Sequence, residues 1–183
     1  IMYDDPRIYV SQLQEARMND DTEVVHYAVT ALTELQKEYD LRFQELDRRM
    51  AGEPEDEEIL DMNLKLMEQY IGTGILEGNN RAIQMKKYSA LLEKKINRKE
   101  VKKSFYLKKI DVDLKLGEYE SAYKAIEIVL EKWPRDEDGY LRLIQYYAYI
   151  KDRTGIGRVL DMIRRRGVFL SPEGRGTVKF WQQ

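Results

Sequence analysis

The sequence predicts an all-α protein, a right-handed solenoid of stacked helix pairs (an α-α superhelix). Three observations carry that expectation. Apolar residues recur at spacings of three and four. The run Val25, Ala28, Val29, Leu32, Leu35, Tyr39, Phe43, Leu46 and Met50 places one stripe along a helix of about 28 residues. No segment alternates at period two for long enough to make a strand. Tyr106 and Tyr140 are spaced by about 34 residues, a period at which two-helix units stack.

Taken in order, the first helix opens at Asp5-Pro6, with Asp as cap and Pro at the first helical position, and runs to about Met18. Asn19-Asp20-Asp21-Thr22 turns the chain and caps the long second helix. Gly52-Glu53-Pro54 breaks that helix, and the acidic run Glu55 to Glu58 suits a new N-terminus, where negative charge is favoured. A third helix is expected through Ile59, Met62, Leu66 and Tyr70 to about Leu76, a turn at Gly78-Asn79-Asn80, and a fourth helix from Ala82 to Ile96. At the far end, Ser171-Pro172-Glu173 reads as the cap and first turn of a short final helix carrying Val178, Phe180 and Trp181. Such a helix would cover the open end of a stack.

The internal repeat occupies the second half. Its first copy runs from about Lys103 to Asp136. Gly117 ends its first helix, Tyr119 and Ala122 open the second, and Pro134 closes the unit after Trp133. A methyl side chain at Ala122 lets two helices approach closely. These positions resemble the tetratricopeptide (TPR) repeat. The second copy keeps Tyr140, Leu143 and Tyr147 on one helix and Ile156, Leu160 and Ile163 on the next, but places Ile156 at the small position and lacks the closing Pro. Residues around Gln69 to Lys102 form a poorer third copy, with Tyr88 at the small position. Near the N-terminus, Asp21 to Leu32 resembles the second helix of a HEAT-like pair. The resulting division is a HEAT-like pair over 1–50, a degenerate pair over 51–102, two TPR-like units over 103–167 and a capping helix over 168–183.

Composition narrows the function. The 183 residues are long enough for a core, and 35% are charged, yet the net charge is only -2, so no global field selects nucleic acid. Cysteine is absent and His26 is the only histidine, so no thiolate metal site, disulfide or Cys-His pair is available. Packing or a surface hydrogen bond is the expected role of His26, and no catalytic residue, cofactor or metal is expected. Gly72, Gly74 and Gly78 lack the spacing, the preceding strand and the following Lys-Ser or Lys-Thr of a nucleotide loop. Close helix contact at Gly72 and Gly74, with a turn at Gly78, is expected instead.

Two groups of residues are candidates for binding. Lys94, Lys95, Arg98, Lys99, Lys102 and Lys103, with Lys86, Lys87, Lys108 and Lys109 beside them, form a basic block interrupted only by Glu93 and Glu100. A solvated helix face is the leading reading, an acidic protein or lipid surface the next, and nucleic acid the last. Tyr140, Tyr146, Tyr147 and Tyr149 crowd one helix, and four aromatics spread around a helix cannot all face one neighbour. Some are expected to be exposed as partner-binding anchors.

The segment Glu23-Val24-Val25-His26-Tyr27-Ala28, the long helix through Leu35-Gln36-Lys37-Glu38-Tyr39-Asp40, the TPR-like units and the tail Ser171-Pro172-Glu173-Gly174-Arg175 together resemble a further family. They are similar to the cytoplasmic region of PelE-type TPR subunits of Pel exopolysaccharide synthesis and secretion systems. That resemblance implies a non-catalytic scaffold on the cytoplasmic face of a bacterial inner membrane, anchored by segments preceding this region. Its implied partners are a cyclic-di-GMP receptor subunit and a glycosyltransferase. The alternative expectation is a regulatory TPR module that binds a peptide or, less readily, nucleic acid; self-association is a further option.

Overall fold

A computed structural model describes residues 5–98 and 101–182. Every regular element among the described residues is an α-helix: α1 Pro6–Ala16, α2 Thr22–Gly52, α3 Glu57–Gly72, α4 Gly78–Ile96, α5 Lys103–Leu116, α6 Tyr119–Lys132, α7 Glu137–Tyr149, α8 Arg153–Arg166 and α9 Pro172–Trp181. The fold is all-α. The chain divides into two compact units, Ile1–Leu91 and Leu92–Gln183, with the boundary inside α4.

In the first unit each of the first three helices is started by an aspartate. Asp5, Asp21 and Asp56 accept from the backbone N–H of Arg7, Glu23 and Glu58. These side chains satisfy donors that have no partner inside the helix. α1 and α3 both pack on α2. Their core gathers Val10, Leu32, Tyr39, Leu46, Ile59, Leu66 and Tyr70. Tyr39 and Tyr70 stack with centroids 4.5 Å apart, worth roughly 1 kcal/mol beyond the area they bury.

Three boundaries differ from the sequence expectation. α1 stops at Ala16, short of Met18. α3 stops at Gly72, before Leu76, because Thr73 donates from Oγ1 to the Tyr70 carbonyl at 2.7 Å and accepts from the Ile75 N–H. Gly74 then takes φ 80°, which favours glycine, and the chain leaves the helix while Ile75 and Leu76 still reach the core. Neither Gly72 nor Gly74 makes a close helix contact; a Cβ at either would meet open space. Finally, Gly78-Asn79-Asn80 belong to the first turn of α4 rather than to a separate turn.

The stripe along α2 is only partly covered. Ala28, Leu32, Tyr39 and Leu46 are buried, whereas Val29 is 45% exposed. The physical reason is direction around the helix: Val29 points about 100° away from Ala28, whose side is covered.

The second unit contains two antiparallel hairpins, α5–α6 and α7–α8, followed by α9 against α7. Positions about 34 residues apart occupy matching environments. Tyr106 and Tyr140 are both buried, as are Ile110 and Ile144, Ala122 and Ile156, and Val129 and Ile163. Lys132 donates from Nζ to the Tyr106 hydroxyl at 3.1 Å, and Arg166, at the same spacing further on, donates from Nη1 to the Tyr140 hydroxyl at 3.0 Å. The corners match as well. Glu118 N–H donates to the Asp113 carbonyl at 2.9 Å across Gly117 (φ 76°), and Asp152 N–H to the Tyr147 carbonyl at 2.8 Å across Lys151 (φ 59°). Each helix end thus folds its last carbonyls back through a left-handed residue.

The small position of the second hairpin is shifted by one residue from the expected site. Ile156 is accommodated in the core, and closeness is achieved at Gly155, where a Cβ would overlap the Tyr147 ring.

Candidate protein-binding surface

The four tyrosines of α7 divide between the core and the surface. Tyr140 is fully buried, donates its hydroxyl to the Pro134 carbonyl at 2.8 Å and accepts from Arg166. It is therefore removed from the expected docking set: it fastens the α6–α7 turn to α8. This interaction also gives Pro134 a role, through its carbonyl. Tyr147 is half-buried, its ring against Gly155, with the Arg158 guanidinium 5.8 Å from its ring centre. Tyr146 is half-buried and Tyr149 is 45% exposed.

Tyr146 and Tyr149 join an aromatic patch with two tyrosines of α6 that lie outside the expected docking set. Tyr119 and Tyr123 lie one helical turn apart on α6. Tyr146 packs 5.1 Å from Tyr123, 5.3 Å from Tyr147 and 6.4 Å from Tyr119, and Tyr149 packs 6.3 Å from Tyr119. Tyr119, assigned by its repeat position to helix packing, is thus also part of this surface. Burial holds the Tyr123 hydroxyl above the ordinary tyrosine range, with the Tyr147 phenol and the Glu127 carboxylate adding to it. The rings pack on one another, which restricts their rotamers. The i, i+4 pair Tyr119 and Tyr123 facing a Tyr-rich helix was the available signal.

The basic block is less uniform than its spelling suggests. Lys94 and Lys102 are exposed. Lys95 is buried, its ammonium 5.4 Å from the Phe105 ring centre. Lys103 is ion-paired with Asp136 and, at 2.6 Å, with Asp138. Arg98 is half-buried, and Lys99 and Glu100 lie outside the described residues. Lys109 is only 4% exposed and forms an ion pair with the wholly buried Asp113.

Ser121 completes that buried cluster. Lys109 donates to Ser121 Oγ at 2.7 Å, and Ser121 donates to Asp113 Oδ2 at 2.6 Å. A serine beside a lysine raises the question of nucleophilic chemistry. Here the ammonium is held by the Asp113 carboxylate and, at 3.4 Å, by that of Glu93 on α4, and the hydroxyl proton is donated to Asp113. The group joins α5 to α6 and to α4.

No family model, curated protein or solved structure matches this chain.

Among the described residues no group of three or more His, Asp or Glu side chains is placed to hold a metal ion, and no helix is long and apolar enough to cross a membrane. His26 is exposed, beside Tyr27.

Proposed function

We propose that this protein is a non-catalytic scaffold that binds other proteins, built from TPR-type helix pairs stacked as a solenoid and closed by α9. The observation that carries the reading is the aromatic patch of Tyr119, Tyr123, Tyr146 and Tyr149 on α6 and α7. Tyrosines that pack edge to face with part of each ring in solvent offer large contact area at little further entropic cost, as interface anchors do. The repeat reading is supported by the matching environments one period apart, above all Tyr106–Lys132 and Tyr140–Arg166. The internal commitments of Lys95, Lys103 and Lys109 weigh against a continuous surface for nucleic acid.

The resemblance to PelE-type subunits extends the proposal to assembly of a bacterial exopolysaccharide synthase at the cytoplasmic face of the inner membrane. Affinity capture from the native organism, followed by mass spectrometry, tests both levels. Recovery of a glycosyltransferase and a cyclic-di-GMP-binding protein, lost together on Tyr146→Ala/Tyr149→Ala substitution, is the expected result. Recovery of unrelated proteins through the same tyrosines would keep the scaffold and end the exopolysaccharide assignment. Capture indifferent to the substitution would remove the tyrosine surface.

A further inference from the structure

The exposed apolar residues of the first unit include a pair that frames a groove between α2 and α3. Leu41 on α2 is 65% exposed and Met62 on α3 is 39% exposed. Leu46 and Leu66, both buried, form the floor between them, and the open groove has a volume of about 570 Å³. Isolated exposed apolar residues need no explanation, but two that flank a shared apolar trough do.

The rim of the groove is positively charged. Arg42 is satisfied by Glu38 one turn earlier, and Glu45, the one carboxylate of the lining, is satisfied by Arg48. Arg49 and Lys65 remain, one on each wall, and neither enters an ion pair among the described residues. Arg42 and Arg49 are two turns apart on α2 and so share one flank, about 10 Å apart along the axis.

We propose that this groove receives an acidic amphipathic helix from a partner protein. Two packed helices with an apolar trough between them offer the seat of a third, read by anchors at i, i+3, i+4 and i+7. A strand would find no sheet edge here to pair with, and a lipid chain would remain wet in a trough this open. The unpaired Arg49 and Lys65 select carboxylates flanking the apolar stripe, through steering and attraction across the rim. The site uses none of the tyrosines of the second unit.

The test is fluorescence anisotropy with the whole chain and two labelled peptides of roughly 18 residues, long enough to be helical. Both carry leucines at helical spacing; one has glutamate flanks and the other lysine flanks. The glutamate peptide is expected to bind at least about tenfold more tightly, and to weaken as salt is raised. Arg49→Glu/Lys65→Glu should invert the preference, and Met62→Glu should weaken the glutamate peptide about tenfold. All three positions are at the surface, so circular dichroism should be unchanged. Equal binding of the two peptides, no binding at roughly 100 μM, or a charge-reversed variant that keeps the original preference would overturn the proposal. So would binding of phosphatidylserine vesicles, abolished by the same reversal, in the absence of peptide binding.

Discussion

Arg166 donates from Nη1 to the hydroxyl of Tyr140 at 3.0 Å, which ties the end of α8 to the buried face of α7. The same hydroxyl donates onward to the Pro134 carbonyl at 2.8 Å. One phenol therefore joins a turn and two helices.

Replacing Tyr140 by Phe keeps the ring and removes both bonds. Urea unfolding should show a loss of about 1 kcal/mol, because two hydrogen bonds are lost while Pro134 and Arg166, both exposed, can turn to water. Tyr106→Phe should cost less, since the Tyr106 hydroxyl reaches the Ile96 carbonyl only at 3.4 Å.

Gly155→Ala places a methyl group where the Tyr147 ring lies, and the ring must move. A destabilisation of about 1–3 kcal/mol is expected. Combining it with Tyr147→Ala should cost less than the sum of the two changes, and a double-mutant cycle measures that difference.

Lys151 holds φ 59° at a corner where its counterpart is Gly117. Left-handed backbone costs a side-chain-bearing residue roughly 1 kcal/mol. Lys151→Gly should therefore raise the urea midpoint, whereas Gly117→Ala should lower it.

The Lys103–Asp136 pair predicts a pH dependence. Burial pushes the Asp136 carboxyl up, but hydrogen bonds from Lys103 and the Asp138 amide more than reverse this and hold it below its ordinary 3.8. Burial pulls Lys103 down, and its bonds to Asp136 and Asp138 hold it above 10.5. The carboxylate's contribution is present above 3.8 and is lost as pH falls through its lower folded value. The ammonium's contribution is present below 10.5 and is lost as pH rises through its higher folded value. Stability profiles of the wild type and Lys103→Met should be well separated near neutrality and converge in strong acid; parallel profiles would rule out this linkage.

The helices were legible because their periodicity and caps are local. Asp5, Asp21 and Asp56 start α1, α2 and α3, and Gly117 ends α5 where turn chemistry places it. What depended on distant packing was not legible. Ile75 and Leu76 continue the apolar spacing of α3, yet they reach the core from a loop, since Thr73 and Gly74 end the helix. Lys95 and Lys109 read as part of a solvated run, because sequence does not reveal that a ring or a buried carboxylate awaits them. The tyrosine patch needed two helices to be juxtaposed before Tyr119 and Tyr123 could be placed beside Tyr146.

The buried Lys109–Asp113–Ser121 cluster also fixes how α5 and α6 may slide. Apolar attraction is non-directional and constrains such a slide less sharply than paired charges do. A slip of about 5.4 Å would carry Ser121 away from both charges and leave an ion pair short of a hydrogen bond in a low-dielectric interior. In the second hairpin the positions equivalent to Asp113 and Ser121 are Tyr147 and Gly155, and the gap that admits the ring is the one without a Cβ. The two hairpins are thus keyed to their registers by different means, one by charge and the other by shape.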